Sequence, residues 1–123
     1  MKILIVMAAL FAAVACKNTF FYTTADDNLD VDAIIRNRRK LEDFGDCFLG
    51  RKPCDEVAAS YKVILPEAIS QACRRCTGAQ KRSLHGLMLG FASQLPERYE
   101  AIVLKCDPRG IHIDSFWKSI KGF

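Results

Sequence analysis

Apolar side chains recur at helical spacing along almost the whole chain after residue 29. Asp30 can cap a short first helix that carries Val31, Ile34 and Ile35 on one side. A second apolar stripe follows, and Gly50 and Pro53 end it. The apolar positions of this second stripe are Leu41, Phe44, Phe48 and Leu49. The pattern therefore predicts two consecutive helices before residue 50.

The middle of the chain predicts two longer helices. The first covers about residues 55–72, and Pro66 lies inside its pattern, which predicts a kink or a break there. The second covers about residues 80–94 and is the most regular amphipathic pattern in the chain. Gly86 and Gly90 lie four residues apart on it, so a neighbouring backbone can approach closely. We favour tight packing there, with room for a ligand as the alternative.

The last third of the chain predicts two further helices separated by a turn. Pro96 suits the first position of a helix, and Glu97 suits the positive end of its dipole. Residues 107–110, Asp-Pro-Arg-Gly, are typical of a type I turn. A final amphipathic segment contains Phe116 and Trp117. Because no alternating strand pattern persists beyond four residues, we expect an all-α domain, an irregular bundle of five to seven helices.

The first sixteen residues read as a secretory signal peptide. Lys2 precedes an almost unbroken apolar run over residues 3–14, and Ala15 and Cys16 supply small residues for cleavage after either one. The run is too short to span a bilayer. The alternative is a bacterial lipoprotein signal with Cys16 lipidated, although the usual preceding leucine is missing. We therefore expect residues 1–16 to be removed, residues 17–123 to form one domain, and the protein to be secreted.

Charge and composition exclude several classes of function. The formal net charge of +4 falls to +3 without Lys2, which is too little for nucleic-acid binding. The basic cluster Arg36, Arg38, Arg39 and Lys40 is better explained as a solvated helix face. Catalytic motifs with a nucleophile, a phosphate loop or an HExxH metal site are missing from the sequence, and we expect neither catalysis nor a cofactor.

Four cysteines have a distinctive spacing, Cys47-x6-Cys54, then eighteen residues, then Cys73-x2-Cys76. In a small secreted domain four cysteines usually form two structural disulfides. A metal site and a redox-active Cys73–Cys76 pair are the weighed alternatives. Spacing alone leaves three pairings open. Cys106 is the remaining cysteine of the expected mature chain, and its place on an apolar stripe predicts a buried thiol, with an intermolecular bridge as the alternative.

Several of these motifs together resemble the insect chemosensory proteins. The matching elements are Tyr22-Thr23-Thr24, the block over residues 27–35, the four-cysteine spacing, residues 65–68 (Leu-Pro-Glu-Ala), Gln80-Lys81 and residues 107–110. The resemblance covers about residues 20–118. It implies six helices around an apolar channel, with disulfides joining neighbouring cysteines. It also implies extracellular transport of long-chain or aromatic small molecules, in a family whose members serve in development and xenobiotic binding as well as olfaction.

Apolar stripes at helical spacing usually form a packed core, and the family resemblance is what favours a ligand channel here. On that basis we expect the inward positions of four helices to line the channel, with the last helix closing one end. The predicted lining residues are Phe44, Tyr61, Leu65, Ile69, Leu84, Leu87, Met88, Phe91, Tyr99, Ile102, Phe116 and Trp117. The expected partner is a small apolar ligand, with no stable membrane insertion and a monomeric state unless Cys106 links a dimer. The alternative function is that of a secreted developmental or structural protein acting through its surface.

Overall fold

The computed structural model describes residues 20–123, and in this range the chain forms six helices and no strand. The predicted signal peptide lies outside the described residues. The helices are α1 (Val31–Arg36), α2 (Arg38–Phe48), α3 (Glu56–Ser70), α4 (Gly78–Gln94), α5 (Pro96–Cys106) and α6 (Ile113–Ile120). The all-α prediction is confirmed.

Side-chain caps begin the first four helices. The carboxylate of Asp30 accepts the amide of Ala33 at the start of α1, and Asn37 caps α2 in the same way. Asp55 accepts the amide of Ala58 at 2.7 Å at the start of α3. Thr77 and Gln80 cap each other's backbone amides at the start of α4, which is a capping box. These caps fix where each helix begins.

The two predicted turn regions end helices as expected. Gly50 follows α2 with a φ of +74°, a left-handed conformation that favours glycine. After α5, the amide of Gly110 donates to the carbonyl of Asp107 at 2.9 Å. The buried carboxylate of Asp107 then accepts the backbone amides of residues 111, 112 and 113 at 3.0–3.2 Å. This one side chain both closes the turn and caps α6.

Pro66 does not break its helix. Of the two predicted outcomes at this position, a kink or a break, the break does not occur, because helix α3 continues from Glu56 through Pro66 to Ser70. Pro66 itself is exposed, whereas Leu65 and Ala68 on either side of it are buried. Burial of the apolar stripe on both sides of the proline outweighs the one backbone hydrogen bond that proline removes.

Helix α4 lies at the centre of the bundle, in contact with α1, α2, α5 and α6, while α3 packs against α2, α5 and α6. The two glycines of α4, Gly86 and Gly90, allow a neighbouring helix to pack closely on one side of it. A Cβ atom at Gly86 would lie 2.4 Å from Cγ1 of Val31, and one at Gly90 would lie 3.2 Å from Ile35. Helix α1 therefore rests on the glycine surface of α4, which is the tight packing that the sequence favoured.

The disulfides join neighbouring cysteines, as the resemblance implied. Cys47 at the end of α2 is bonded to Cys54 in the following loop, and Cys73 is bonded to Cys76 in the turn between α3 and α4. The sequence separations are 7 and 3, so each bridge closes a small loop and contributes about 2 kcal/mol in the chain-entropy account. Cys73 and Cys76 are buried, which leaves little access for a redox partner.

None of the helices between residues 20 and 123 combines the length and the apolar character needed to cross a membrane.

Candidate ligand-binding region

The twelve predicted lining residues belong to one continuous apolar cluster. Nine of them are buried, with at most 2% of the residue surface exposed. These nine are Tyr61, Leu65, Ile69, Leu84, Leu87, Met88, Phe91, Ile102 and Phe116. Phe44, Tyr99 and Trp117 are half-buried and pack against the same cluster. The fold therefore brings together side chains from α2 to α6, which are far apart in the sequence.

An open groove of about 890 Å³ lies beside this cluster, between the segment that precedes α1, helices α1 and α2, and the start of α3. Its apolar wall contains Leu29, Ala33, Ile34, Phe44, Pro53, Val57, Ala58 and the Cys47–Cys54 bridge. Its polar rim contains Asp26, Asp30, Lys40, Asp43, Lys52 and Asp55. Protein pockets that hold small ligands typically measure about 300–1,000 Å³, and they combine an apolar lining with a few polar groups.

Phe44 is the predicted lining residue that also faces this groove. The helical stripes did not predict the groove, because its wall combines positions from three helices with the segment before α1 and the loop over residues 50–55. The sequence signal that could have indicated the groove is the pair Cys47 and Cys54, which can close a short loop shortly after Phe44.

Most of the charged groups on the groove rim have structural partners. Lys52 forms an ion pair with Asp43 at 3.0 Å. Asp30 and Asp55 accept helix-start amides, and the carboxylate of Asp26 accepts the amide of Asn28 at 3.0 Å. Among residues 20–123 there is no group of three or more potential ligands that could hold a metal ion. The chemistry available in the groove is apolar contact together with a polar edge.

A chain of aromatic rings leads from the groove into the apolar cluster. Phe44 meets Phe48 edge to face with ring centroids 6.1 Å apart, and Phe48 meets Phe91 at 5.9 Å. Both spacings are in the favourable range for aromatic pairs. The exposed fraction falls along this chain from the half-buried Phe44 to 4% at Phe48 and 0% at Phe91. The three rings therefore form a continuous row from the groove to the centre of the molecule.

Trp117, the one tryptophan in the chain, is half-buried and packs against the apolar cluster. Its indole N–H donates to the hydroxyl of Tyr99 at 2.9 Å, and its ring lies 6.2 Å from both Tyr99 and His85. The buried hydroxyl of Tyr61 also has partners, since it donates to the carbonyl of Asp26 at 2.7 Å and lies 3.2 Å from Ser83. Each polar atom of these buried aromatics is thus hydrogen-bonded.

Comparison with known proteins identifies the family of this chain. The model of the insect pheromone-binding family, A10/OS-D, matches residues 22–114. The chain belongs to this family. Membership confirms the resemblance to insect chemosensory proteins. It makes the chain one of a family of small-molecule carriers rather than a member of an enzyme family.

Three curated relatives match most of the chain at low identity. Allergen Tha p 1 of Thaumetopoea pityocampa is 27% identical over 94% of this chain and 92% of its own length. Ejaculatory bulb-specific protein 3 of Drosophila melanogaster is 27% identical over 77% of this chain and 75% of its own. Putative odorant-binding protein A10, also of Drosophila melanogaster, is 31% identical over 74% of this chain and 59% of its own.

Cys106 is a feature outside the four-cysteine signature of the family. It carries a free thiol and is half-buried at the end of α5, as part of the apolar surroundings of the core. Burial raises the pKa of the Cys106 thiol, so the thiol stays protonated and reacts slowly. Its location agrees with the buried-thiol prediction in part, because the side chain is not fully enclosed.

Proposed function

We propose that the protein binds one small apolar molecule, such as a long-chain fatty-acid derivative or a semiochemical, in an internal hydrophobic channel and carries it in extracellular fluid. Family membership supports binding of a small molecule, and the continuous apolar cluster supports an apolar one. The predicted leader and the two disulfides support the extracellular compartment.

The observation that carries the proposal is the aromatic path from the groove to Phe91. In our account the ligand first lies in the groove, where Phe44 contributes to the wall. Phe44 and Phe48 then rotate, and the apolar end of the ligand enters among the twelve predicted lining residues. Met88, whose side chain is flexible and fully buried, can adjust to ligands of different shape.

The energetics favour a ligand with a long apolar chain. Each buried methylene contributes about 0.8 kcal/mol, so a chain of about fourteen methylenes contributes about 11 kcal/mol. Ordering of the ligand and displacement of the aromatic rings reduce this gain. A total cost of about 3 kcal/mol would leave roughly −8 kcal/mol, which corresponds to micromolar binding.

The test is a fluorescence titration with the probe N-phenyl-1-naphthylamine, followed by competition with fatty acids, alcohols and esters of graded chain length. Phe44→Arg places a charge at the half-buried start of the path and should weaken binding about tenfold or more. Val63→Arg is the matched control, because Val63 is 78% exposed on α3 and lies outside the groove wall. Equal binding by both variants would contradict the groove as the entrance.

Phe91→Leu tests separately whether the ligand lies in the interior of the protein, beside Phe91. Leucine is smaller than phenylalanine, so the variant should prefer longer ligands than the wild-type protein does. Circular dichroism establishes that the variant is folded. An unchanged length optimum in a folded variant would contradict ligand binding beside Phe91.

A further inference from the structure

Three exposed phenylalanines lie around the amino-terminal end of α4. Phe20 and Phe21 are 51% and 56% exposed and meet edge to face at 4.9 Å, while Phe123 is 49% exposed. None of the three belongs to the apolar core or to the wall of the large groove. Exposed aromatic side chains in such numbers at one end of a small domain indicate an interaction surface.

Hydrogen bonds and a cation–π contact place both ends of the described chain at this location. The side chain of Arg75, in the turn before α4, donates to the carbonyl of Phe20 at 2.6 Å. The amide of Tyr22 donates to the carbonyl of Arg75 at 3.0 Å, which keeps residues 20–22 against this turn. On another side of the same helix end, the ammonium of Lys81 lies 4.9 Å from the ring centroid of Phe123.

Three sequence segments that meet at this end carry only basic charges. Residues 20–25, 68–82 and 115–123 contain no Asp or Glu, whereas all fourteen acidic residues of the chain lie elsewhere. The same three segments contain six basic residues, Arg74, Arg75, Lys81, Arg82, Lys118 and Lys121. We call these six residues together with Phe20, Phe21 and Phe123 the basic aromatic end.

Only part of this positive charge is compensated by nearby acids. Arg75 is paired with Glu67 at 3.0 Å. Asp30 and Asp32 share a small pocket with Arg82 and Phe123, but they form no salt bridge with Arg82. Within the described residues, Arg74 and Lys81 also lack a salt bridge. The basic aromatic end therefore presents, beside exposed phenyl rings, cations that form no salt bridge with another described residue.

We propose that the basic aromatic end docks the protein reversibly on anionic lipid bilayers. Lys and Arg residues near an anionic bilayer gain about 1 kcal/mol each, and phenyl rings insert into the boundary between headgroups and acyl chains. The groups are long cationic side chains and exposed aromatic rings, so they suit a deformable lipid surface better than a preformed protein groove. The proposal does not depend on the carrier function, because it needs no bound ligand.

The test is co-sedimentation with large unilamellar vesicles. For this test the protein is expressed in eukaryotic cells with its predicted leader and purified from the medium. Its mass then establishes that no leader remains. Vesicles of phosphatidylcholine with about one third phosphatidylserine should bind the protein, and pure phosphatidylcholine should bind it far more weakly. Raising the salt concentration from about 0.05 M to about 0.5 M should release it.

Matched variants distinguish an effect of this local surface on vesicle binding from an effect of the net charge of the whole protein. Arg74→Glu combined with Lys81→Glu should weaken vesicle binding about tenfold or more. Arg39→Glu combined with Arg109→Glu makes the same change in net charge at exposed positions outside the basic aromatic end and should have less than about a twofold effect.

The phenylalanines need their own comparison. Phe20→Ser combined with Phe21→Ser should weaken binding to anionic vesicles, whereas Val63→Ser combined with Leu104→Ser, at residues 78% and 66% exposed, should not. Absence of vesicle binding by the folded protein would overturn the proposal and direct attention to an acidic protein partner. Equal losses from both charge pairs would overturn it as well.

Discussion

Replacing Gly86 by alanine should destabilise the protein, although alanine is the better helix former. The added Cβ atom would lie 2.4 Å from Cγ1 of Val31 and 3.2 Å from its Cβ. Carbon atoms in favourable contact lie about 3.5–4.0 Å apart. Valine is short and branched at Cβ, so its side chain cannot rotate away, and α1 itself has to move.

The magnitude follows from two opposing effects. Alanine in place of glycine favours helix α4 by up to about 1 kcal/mol. Overpacking in a close contact costs about 1–3 kcal/mol. We therefore expect a net loss of up to about 2 kcal/mol in the free energy of unfolding. In a protein that already carries Val31→Ala, the same Gly86→Ala change should instead be neutral or stabilising by up to about 1 kcal/mol.

The assay is urea unfolding followed by circular dichroism, with both disulfides intact, for the two single variants and the double variant. Coupling of at least about 1 kcal/mol between positions 31 and 86 is expected. Gly78→Ala is the control, because a Cβ there would lie 3.7 Å from the Phe123 ring, which is an ordinary contact. Stabilisation by Gly86→Ala in the wild-type background would refute the close approach of α1 to α4.

Three further predictions concern other parts of the fold. Asp46→Asn should lower the free energy of unfolding by about 1–3 kcal/mol at neutral pH, as measured by urea unfolding. The reason is that the Asp46 carboxylate accepts a hydrogen bond of 2.9 Å from Nε of Arg98, which links α2 to α5. That hydrogen bond holds the pKa of the Asp46 carboxyl below its ordinary value. Its stabilisation is therefore present above about pH 4 and is lost as the pH falls further, so the variant should lose less stability in acid than the wild-type protein. Asp107→Asn should lower the thermal unfolding midpoint and change Trp117 fluorescence, because the carboxylate caps α6. Cys106 should react with iodoacetamide about tenfold or more slowly in the native protein than after unfolding, as followed by mass spectrometry, because burial raises the pKa of its thiol.

Each of these predictions has a contradicting result. Identical acid sensitivity of the Asp46 variant and the wild-type protein would show that this carboxyl does not contribute to the pH dependence. An unchanged midpoint for Asp107→Asn would remove its capping role. Rapid alkylation of Cys106 in the folded protein would show that the thiol is accessible, and it would revive the disulfide-linked dimer.

The starts and ends of helices could be predicted from the sequence because they depend on local chemistry. Asp30 caps α1, Pro96 opens α5, and the turn over residues 107–110 lies where its residues indicated. Pro66 is the counter-example. Its local effect is to remove a hydrogen bond, but the decisive term is burial of Leu65 and its neighbours against other helices, which depends on the tertiary structure.

The groove and the basic aromatic end could not be predicted from periodicity. The groove wall combines α1, α2 and a disulfide-closed loop, and its residues share no helical stripe. The exposed phenylalanines come from the two ends of the described chain, and only the fold brings them to the amino-terminal end of α4. A stripe such as that of α4 is the same whether it lines a channel or fills a core, so sequence pattern alone cannot separate the two.

Isothermal titration calorimetry of the oxidised, ligand-free protein with a series of fatty alcohols tests the central claim most directly. The account predicts one ligand per protein molecule, micromolar affinity, a negative heat-capacity change and an optimum in chain length. Trp117 fluorescence should change in parallel, because this side chain packs against the apolar cluster. A folded protein that binds none of the series would contradict the carrier function.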